Sequence, residues 1–195
     1  MRKLAAALVG LGITFTAFAQ GGHEHGVARL QVAIDGGLLA VELQSPLDNL
    51  VGFEHEPSTE AQRRALADAE ARLRDFGALF VLPAGAGCVL SEVELESPWH
   101  AGHDEAHDHD HDHDHDHDHE HEHEQDHEHD HDHEEAHGEM HVRYLLNCAT
   151  PEALTGMTVK LAEAFPRTAR IRAETATPRG QNALTLTRGK DKLPL

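Results

Sequence analysis

The chain has 195 residues, with 35 acidic against 16 basic side chains and a formal net charge of −19. No basic face is on offer, which excludes nucleic acid and anionic membrane surfaces as natural partners. The charge is also unevenly placed: residues 100–141 hold 18 of the acids and 17 of the 20 histidines, so the remainder is close to neutral.

In chain order, Arg2 and Lys3 precede an apolar run over 4–18, and Ala17-Phe18-Ala19 fits the small-x-small rule of a secretory signal peptide, with cleavage expected after Ala19. The run is shorter than the ~20 residues of a spanning helix, which argues against an uncleaved anchor. The expected address is the periplasm. Residues 1–19 are then signal, and 20–99 with 140–195 are one body of roughly 130 residues, long enough for a single core. Residues 100–139 are an insertion in it.

Residues 27–45 predict a β-hairpin. Leu30, Val32 and Ile34 alternate with polar or small neighbours, Asp35-Gly36-Gly37 supplies a turn, and Leu39, Val41 and Leu43 alternate in turn. Ser45-Pro46 reads as an N-cap and first helical position, predicting a short helical turn over 47–51. A helix over 60–74 follows. Thr59 and Gln62 have capping-box spacing, and Ala61, Ala65, Ala69 and Leu73 share one face with Leu66 beside them. Glu60/Arg64, Asp68/Arg72 and Glu70/Arg74 are ion-pair candidates at i,i+4. Residues 89–96 and 140–148 predict two strands joined by the insertion, and further strand-like stretches lie near 157–161, 171–176 and 183–187. The fold class is therefore α+β: a single domain with a mostly antiparallel sheet and few helices, plus a long disordered His/Asp/Glu-rich loop.

The insertion cannot build a core, because it lacks the apolar residues to do so. From Asp108 to His119 it strictly alternates Asp and His. Imidazole suits Zn²⁺, Ni²⁺ and Cu²⁺, and carboxylate adds hard ligands and compensating charge. The ligand candidates are His103, His107, His109, His111, His113, His115, His117, His119, His121, His123, His127, His129, His131, His133, His137 and His141. Imidazoles on one side of an extended chain start about 7 Å apart, whereas ligands must converge within about 2.1 Å of a zinc ion. The tract must therefore bend around each ion, and metal is expected to compact it. Three or four ligands per ion would let 17 histidines serve about four to six ions. Zn²⁺ is the expected metal, with Ni²⁺ or Cu²⁺ as alternatives that the ligand types do not exclude.

Only Cys88 and Cys148 are present, one on each side of the tract. In an oxidising compartment an isolated pair forms a disulfide, which here would clamp the base of the excursion. A thiolate metal site is the rival reading, but no C-x-x-C spacing supports it. Three histidines lie outside the tract: His23 and His25 at the start of the mature chain, and His55 between Glu54 and Glu56. They could form a second, better-ordered site, or be a frayed terminus and a packed turn residue. Cleavage after Gln20 instead would make Gly21-Gly22-His23 a terminal Cu²⁺/Ni²⁺ site. Signatures of catalysis are missing: His23-Glu24-His25 is not the i,i+4 pair of a zinc protease, and neither G-x-S-x-G nor a phosphate loop occurs.

His23-Glu24-His25-Gly26-Val27-Ala28, then Gly52-Phe53-Glu54-His55-Glu56-Pro57, then Cys88, a His-rich insertion and Cys148 together resemble the ZrgA-like periplasmic proteins. The resemblance runs from about residue 22 to the last strands, and the Gly52–Pro57 block is its most specific part. It implies a zinc-binding accessory of import that passes metal to an uptake system, with a zinc importer or its solute-binding component as partner. A passive zinc buffer and a metal-dependent enzyme are the competing readings. The buffer needs no docking surface, and the enzyme would need one rigid, open-coordinated site.

Overall fold

A computed structural model describes residues 24–99 and 138–195. Its centre is the predicted hairpin, β1 (Val27–Asp35) and β2 (Leu38–Pro46), paired with Leu30 opposite Leu43, Val32 opposite Val41 and Ile34 opposite Leu39. Period-two alternation sends these six side chains to one buried face, with Arg29, Gln31 and Glu42 on the other. The short helix α1 (Leu47–Val51) follows directly. Its cap differs from expectation. Ser45 is still a strand residue and Pro46 is the N-cap, with no side-chain cap. The Ser45 hydroxyl is buried and accepts a hydrogen bond from Asn49 instead.

Helix α2 (Glu60–Arg74) has the predicted bounds and capping box. Leu66, Ala69 and Leu73 are buried, but Ala61 is exposed and Ala65 half-buried, so the apolar stripe begins one turn later than the spacing suggests. Of the three i,i+4 pairs, Glu60–Arg64 forms, at 3.3 Å. Arg72 donates instead to the Ala164 carbonyl at 2.8 Å and lies over the Phe165 ring, because tertiary packing offers it a fixed acceptor. Helix α3 (Phe76–Leu79) and a two-residue strand β3 (Phe80–Val81) complete the first half, and neither was predicted.

Strands β4 (Cys88–Glu96) and β5 (Glu139–Cys148) pair antiparallel, as expected of the two segments that flank the insertion. Cys88 is in register with Cys148 and the two form a disulfide. The later elements are β6 (Gly156–Val159), α4 (Leu161–Ala164), β7 (Arg170–Thr177), β8 (Gly180–Leu186) and β9 (Lys192–Pro194). The stretch expected as a strand over 157–161 ends at Val159. Lys160 donates its backbone N–H to Leu79, and Leu161 opens α4.

Six strands form one sheet in the order β4-β5-β2-β1-β7-β8, antiparallel except for β1 with β7, and β3-β6-β9 form a second. The helices and the small sheet cover the apolar face of the large one. There Tyr144 meets Phe76 and Phe80 at ring-centroid distances of 5.3 and 5.6 Å, and its hydroxyl donates to the Leu73 carbonyl at 2.6 Å. The opposite face is polar, with Arg143 between Glu42 and Glu94. Among the described residues no helix is long and apolar enough to cross a membrane. The single α+β body with a mostly antiparallel sheet is as expected. Residues 100–137 of the expected 100–139 insertion, and the expected signal at 1–19, lie outside the described residues.

Candidate metal centre

The strand register decides where the insertion leaves the body. β5 runs parallel to β1, because both are antiparallel to the β2 between them. His141 at the start of β5 is level with Gln44, and Gln44 is level with Arg29 at the start of β1. The tract therefore enters β5 at the end of the sheet where His25 leads into β1, and β4 delivers its other root there, with Glu96 level with His141.

Helix α1 ties these segments together. Asn49, 1% exposed, accepts from the Gly26 N–H at 2.6 Å and donates to the Val27 carbonyl at 3.1 Å, which pins the backbone just after His25. Both carboxylate oxygens of Asp48 accept from Nη2 of Arg167, at 2.6 and 2.8 Å, and the Arg167 Nε also donates to the Asp48 carbonyl. This pairing raises the guanidinium pKa further above its ordinary value, chiefly through the hydrogen bond and the Asp48 charge. Gly52 closes α1 in the left-handed region at φ 88°, turning the chain sharply into the 53–57 loop.

That loop meets both roots of the insertion. The Trp99 indole donates to the Glu54 carbonyl at 3.1 Å, and Leu47 donates its N–H to Gly138. A Cβ on Gly138 would lie 2.7 Å from Leu47 Cδ1 and 2.9 Å from the Glu54 carbonyl oxygen, so the approach requires glycine.

Three candidate ligands lie within the described residues, and each has one ring nitrogen against an oxygen. His25 Nε2 is 3.1 Å from Glu54 Oε1, with the imidazole side chain 63% exposed and the carboxylate side chain 17%. His141 Nε2 is 3.2 Å from Glu139 Oε2. His55 Nδ1 is 2.8 Å from the Glu56 carbonyl oxygen, its Nε2 is 3.4 Å from Gln62 Nε2, and its ring stacks on Phe53 at 5.3 Å. A carboxylate or carbonyl oxygen can only accept. The neutral His55 imidazole, hydrogen-bonded to the Glu56 carbonyl, therefore carries its proton on Nδ1 and its lone pair on Nε2.

Glu24 is committed elsewhere, to Arg170 and to Arg172, the latter at 2.7 Å. Among the described residues, no three His, Cys, Asp or Glu side chains converge to hold a metal ion. The closest arrangements are the two His–carboxylate pairs. His23, and the ligand candidates from His103 to His137, lie outside the described residues. Glu54 and Asn49 were not singled out from the sequence. The only hint was that Glu54 neighbours a histidine, and nothing in the order of residues ties Asn49 to Gly26. A groove of about 570 Å³ on the polar sheet face, lined by Gln31, Glu42, Glu174 and Asn182 among others, contains no histidine or cysteine and stands apart from this centre.

A family model described as ZrgA family zinc uptake protein matches residues 22–195. No curated protein matches the chain.

Proposed function

Since the chain belongs to the ZrgA family of zinc uptake proteins, we propose that it is an exported, periplasmic zinc-capture protein that loads Zn²⁺ on its His/Asp/Glu tract and passes it to an importer or the importer's solute-binding component. The observation that carries this reading is the family match over a chain that concentrates 17 histidines between two cysteines bonded to each other. Imidazole and carboxylate donors at 35 of the 42 positions from 100 to 141 make many overlapping sites, and such sites exchange metal readily because a neighbouring ligand is close at hand. The tract histidines His103 to His137 are the capture ligands, with His23, His25, His55 and His141 on or beside the body. The fold supports delivery by anchoring both ends of the tract to one end of the sheet, so that captured metal is held near one surface. The chemistry is binding and transfer, with zinc as cargo.

The test replaces every tract histidine with Asn at constant chain length. Calorimetric titration should lose most of the zinc stoichiometry, and cells carrying the variant should lose their growth advantage at low zinc. Unchanged stoichiometry would refute capture by the tract. Lost stoichiometry with undiminished uptake, and no response to removal of importer components, would favour a passive buffer.

A further inference from the structure

Beyond Lys3 the sequence has three lysines, Lys160, Lys190 and Lys192, and the fold gathers all of them beside Arg188. β8 runs into a tight turn in which Thr187 and Lys190 bond each other's backbone, and Arg188 within it donates to the Ala162 carbonyl on α4 at 2.9 Å. The chain returns as β9. There the Asp191 carbonyl accepts from the N–H of Val159, the neighbour of Lys160, and Lys192 Nζ donates to Thr158 Oγ1 at 2.6 Å. Arg188, Lys190 and Lys192 are exposed and Lys160 is half-buried. Among the described residues none of the four is paired with a carboxylate, whereas Arg143, Arg167, Arg170 and Arg172 all are. Asp191 and Glu163 adjoin the cluster in the chain but leave it an excess of positive charge. The balance of the whole chain conceals this: residues 160–195 hold eight basic against three acidic side chains.

We propose that this cluster is the docking surface for the chain's own acidic segment, residues 100–137. That segment has 17 Asp and Glu and no Lys or Arg, so the charges are complementary. The strand register puts the two within reach. Thr185, three residues before Arg188, lies in one cross-strand row with Arg172, Arg29, Gln44 and His141. Four strand spacings therefore separate β8 from β5, about 19 Å. At ~3.3 Å per residue, roughly six residues cross that distance. Thirty-eight residues lie between the roots at Trp99 and Gly138, enough to go out and return.

The cations nearer the roots offer less. Arg143 sits between Glu42 and Glu94, Arg170 and Arg172 share Glu24, and Arg29 stands singly. Tethering gives the segment an effective concentration at the cluster in roughly the millimolar range, which favours this occupant over a separate acidic chain. Single exposed ion pairs are weak, so the contact depends on many charges on one side meeting several on the other. It needs charge alone and stands independently of the capture reading. Its consequence is that the donors of the segment lie against the β8 edge of the body, away from the β4–β5 edge that roots them.

The experiment uses the whole chain from Gln20 onward, freed of metal by chelator, at low salt and about pH 8, where ordinary histidines are neutral. Its backbone amide spectrum is compared with that of a chain whose 100–137 acids are all Asn or Gln. The body is identical in the two, so the comparison does not depend on a weakened fold. The amides of Lys160 and of residues 188–192 should differ between the chains. The difference should vanish at about 1 M salt, where the Debye length is ~3 Å. Carbodiimide coupling of the unaltered chain should join the three lysines to carboxylates of 100–137 within one molecule. Its yield should be independent of protein concentration, fall several-fold in salt, and lose the Lys190 product in Lys190→Glu. Amides that coincide in the two chains at low salt would overturn the proposal, as would coupling confined to Asp191 and Glu163 or unaffected by salt. Coupled dimers whose yield rises with protein concentration would give the surface to a second copy and overturn docking within one chain.

Discussion

Asn49 shows how much one side chain can organise. Its amide is buried, accepts from Gly26, and donates to Val27 and Ser45, joining the segment after His25 to α1 and to the end of β2. Removing a buried amide strands those partners, each costing about 1–3 kcal/mol when left unsatisfied. Asn49→Ala should therefore lower the unfolding free energy by roughly 2–4 kcal/mol, measured by urea titration, and should broaden the His25 imidazole resonance. Full stability with an unchanged His25 signal would mean that the pinning is dispensable. His55 illustrates the opposite case. Its ligand chemistry is plain in the sequence, yet its ring contacts are to Glu56, Gln62 and Phe53, within its own loop and the start of α2.

Two ties between elements carry their own predictions. Tyr144 on β5 donates its buried hydroxyl to Leu73 near the end of α2, and burial pushes its pKa above the usual tyrosine value. The folded state thus keeps the proton that the unfolded chain gives up near pH ~10. The tie is at full strength below that pH and weakens as pH rises beyond it, since the unfolded state ionises first. Unfolding measured from about pH 9 to pH 11 should show an alkaline decline that Tyr144→Phe largely removes. The same variant should lose roughly 1–2 kcal/mol at neutral pH, where it leaves the Leu73 carbonyl without its donor. A wild-type decline that the variant fully retains would assign the effect to other groups. The second tie is the Cys88–Cys148 bridge, which closes a separation of 60 residues that includes the whole tract. Loop-closure entropy makes that bridge worth roughly 4 kcal/mol, because the unfolded chain would otherwise explore so long a loop freely. Cys88→Ala/Cys148→Ala protein should show a loss of that order in denaturant unfolding. A drop below about 1 kcal/mol would mean that β4–β5 pairing already confines the ends.

At the scale of the whole molecule, the proposed capture sets protons and zinc in competition for the same nitrogens. Imidazole binds metal only when neutral, and an ordinary His titrates near pH ~6.5. With its histidines neutral the 100–141 segment carries −18, and full protonation would bring it to −1. Zinc stoichiometry should therefore be high at about pH 7.5 and fall steeply by about pH 5.5, with protons released on binding at the lower end. Equal occupancy at both, without proton release, would make carboxylates the main ligands. The proposed periplasmic address follows the pH of the medium, so uptake supported by this protein should fade in acid.

The sequence by itself determined what depends on local order. Period-two alternation was enough for β1 and β2, and a capping box bounded α2. The His/Asp alternation is the ground for the proposed metal chemistry, because donor type is a property of each side chain alone. The tertiary structure alone decided what depends on distant partners. The short elements β3, α3, α4 and β9 exist because each is held by neighbours far off in the chain, as Lys160 is by Leu79. Arg72 left its i+4 partner for the Ala164 carbonyl for the same reason. The His25–Glu54 pair is the clearest instance. Both residues are visible in the sequence, but only the turn of α1, pinned by Asn49 and Arg167, closes the gap between them to 3.1 Å. Contacts across a fold carry no periodicity, so no reading of spacing could have found it.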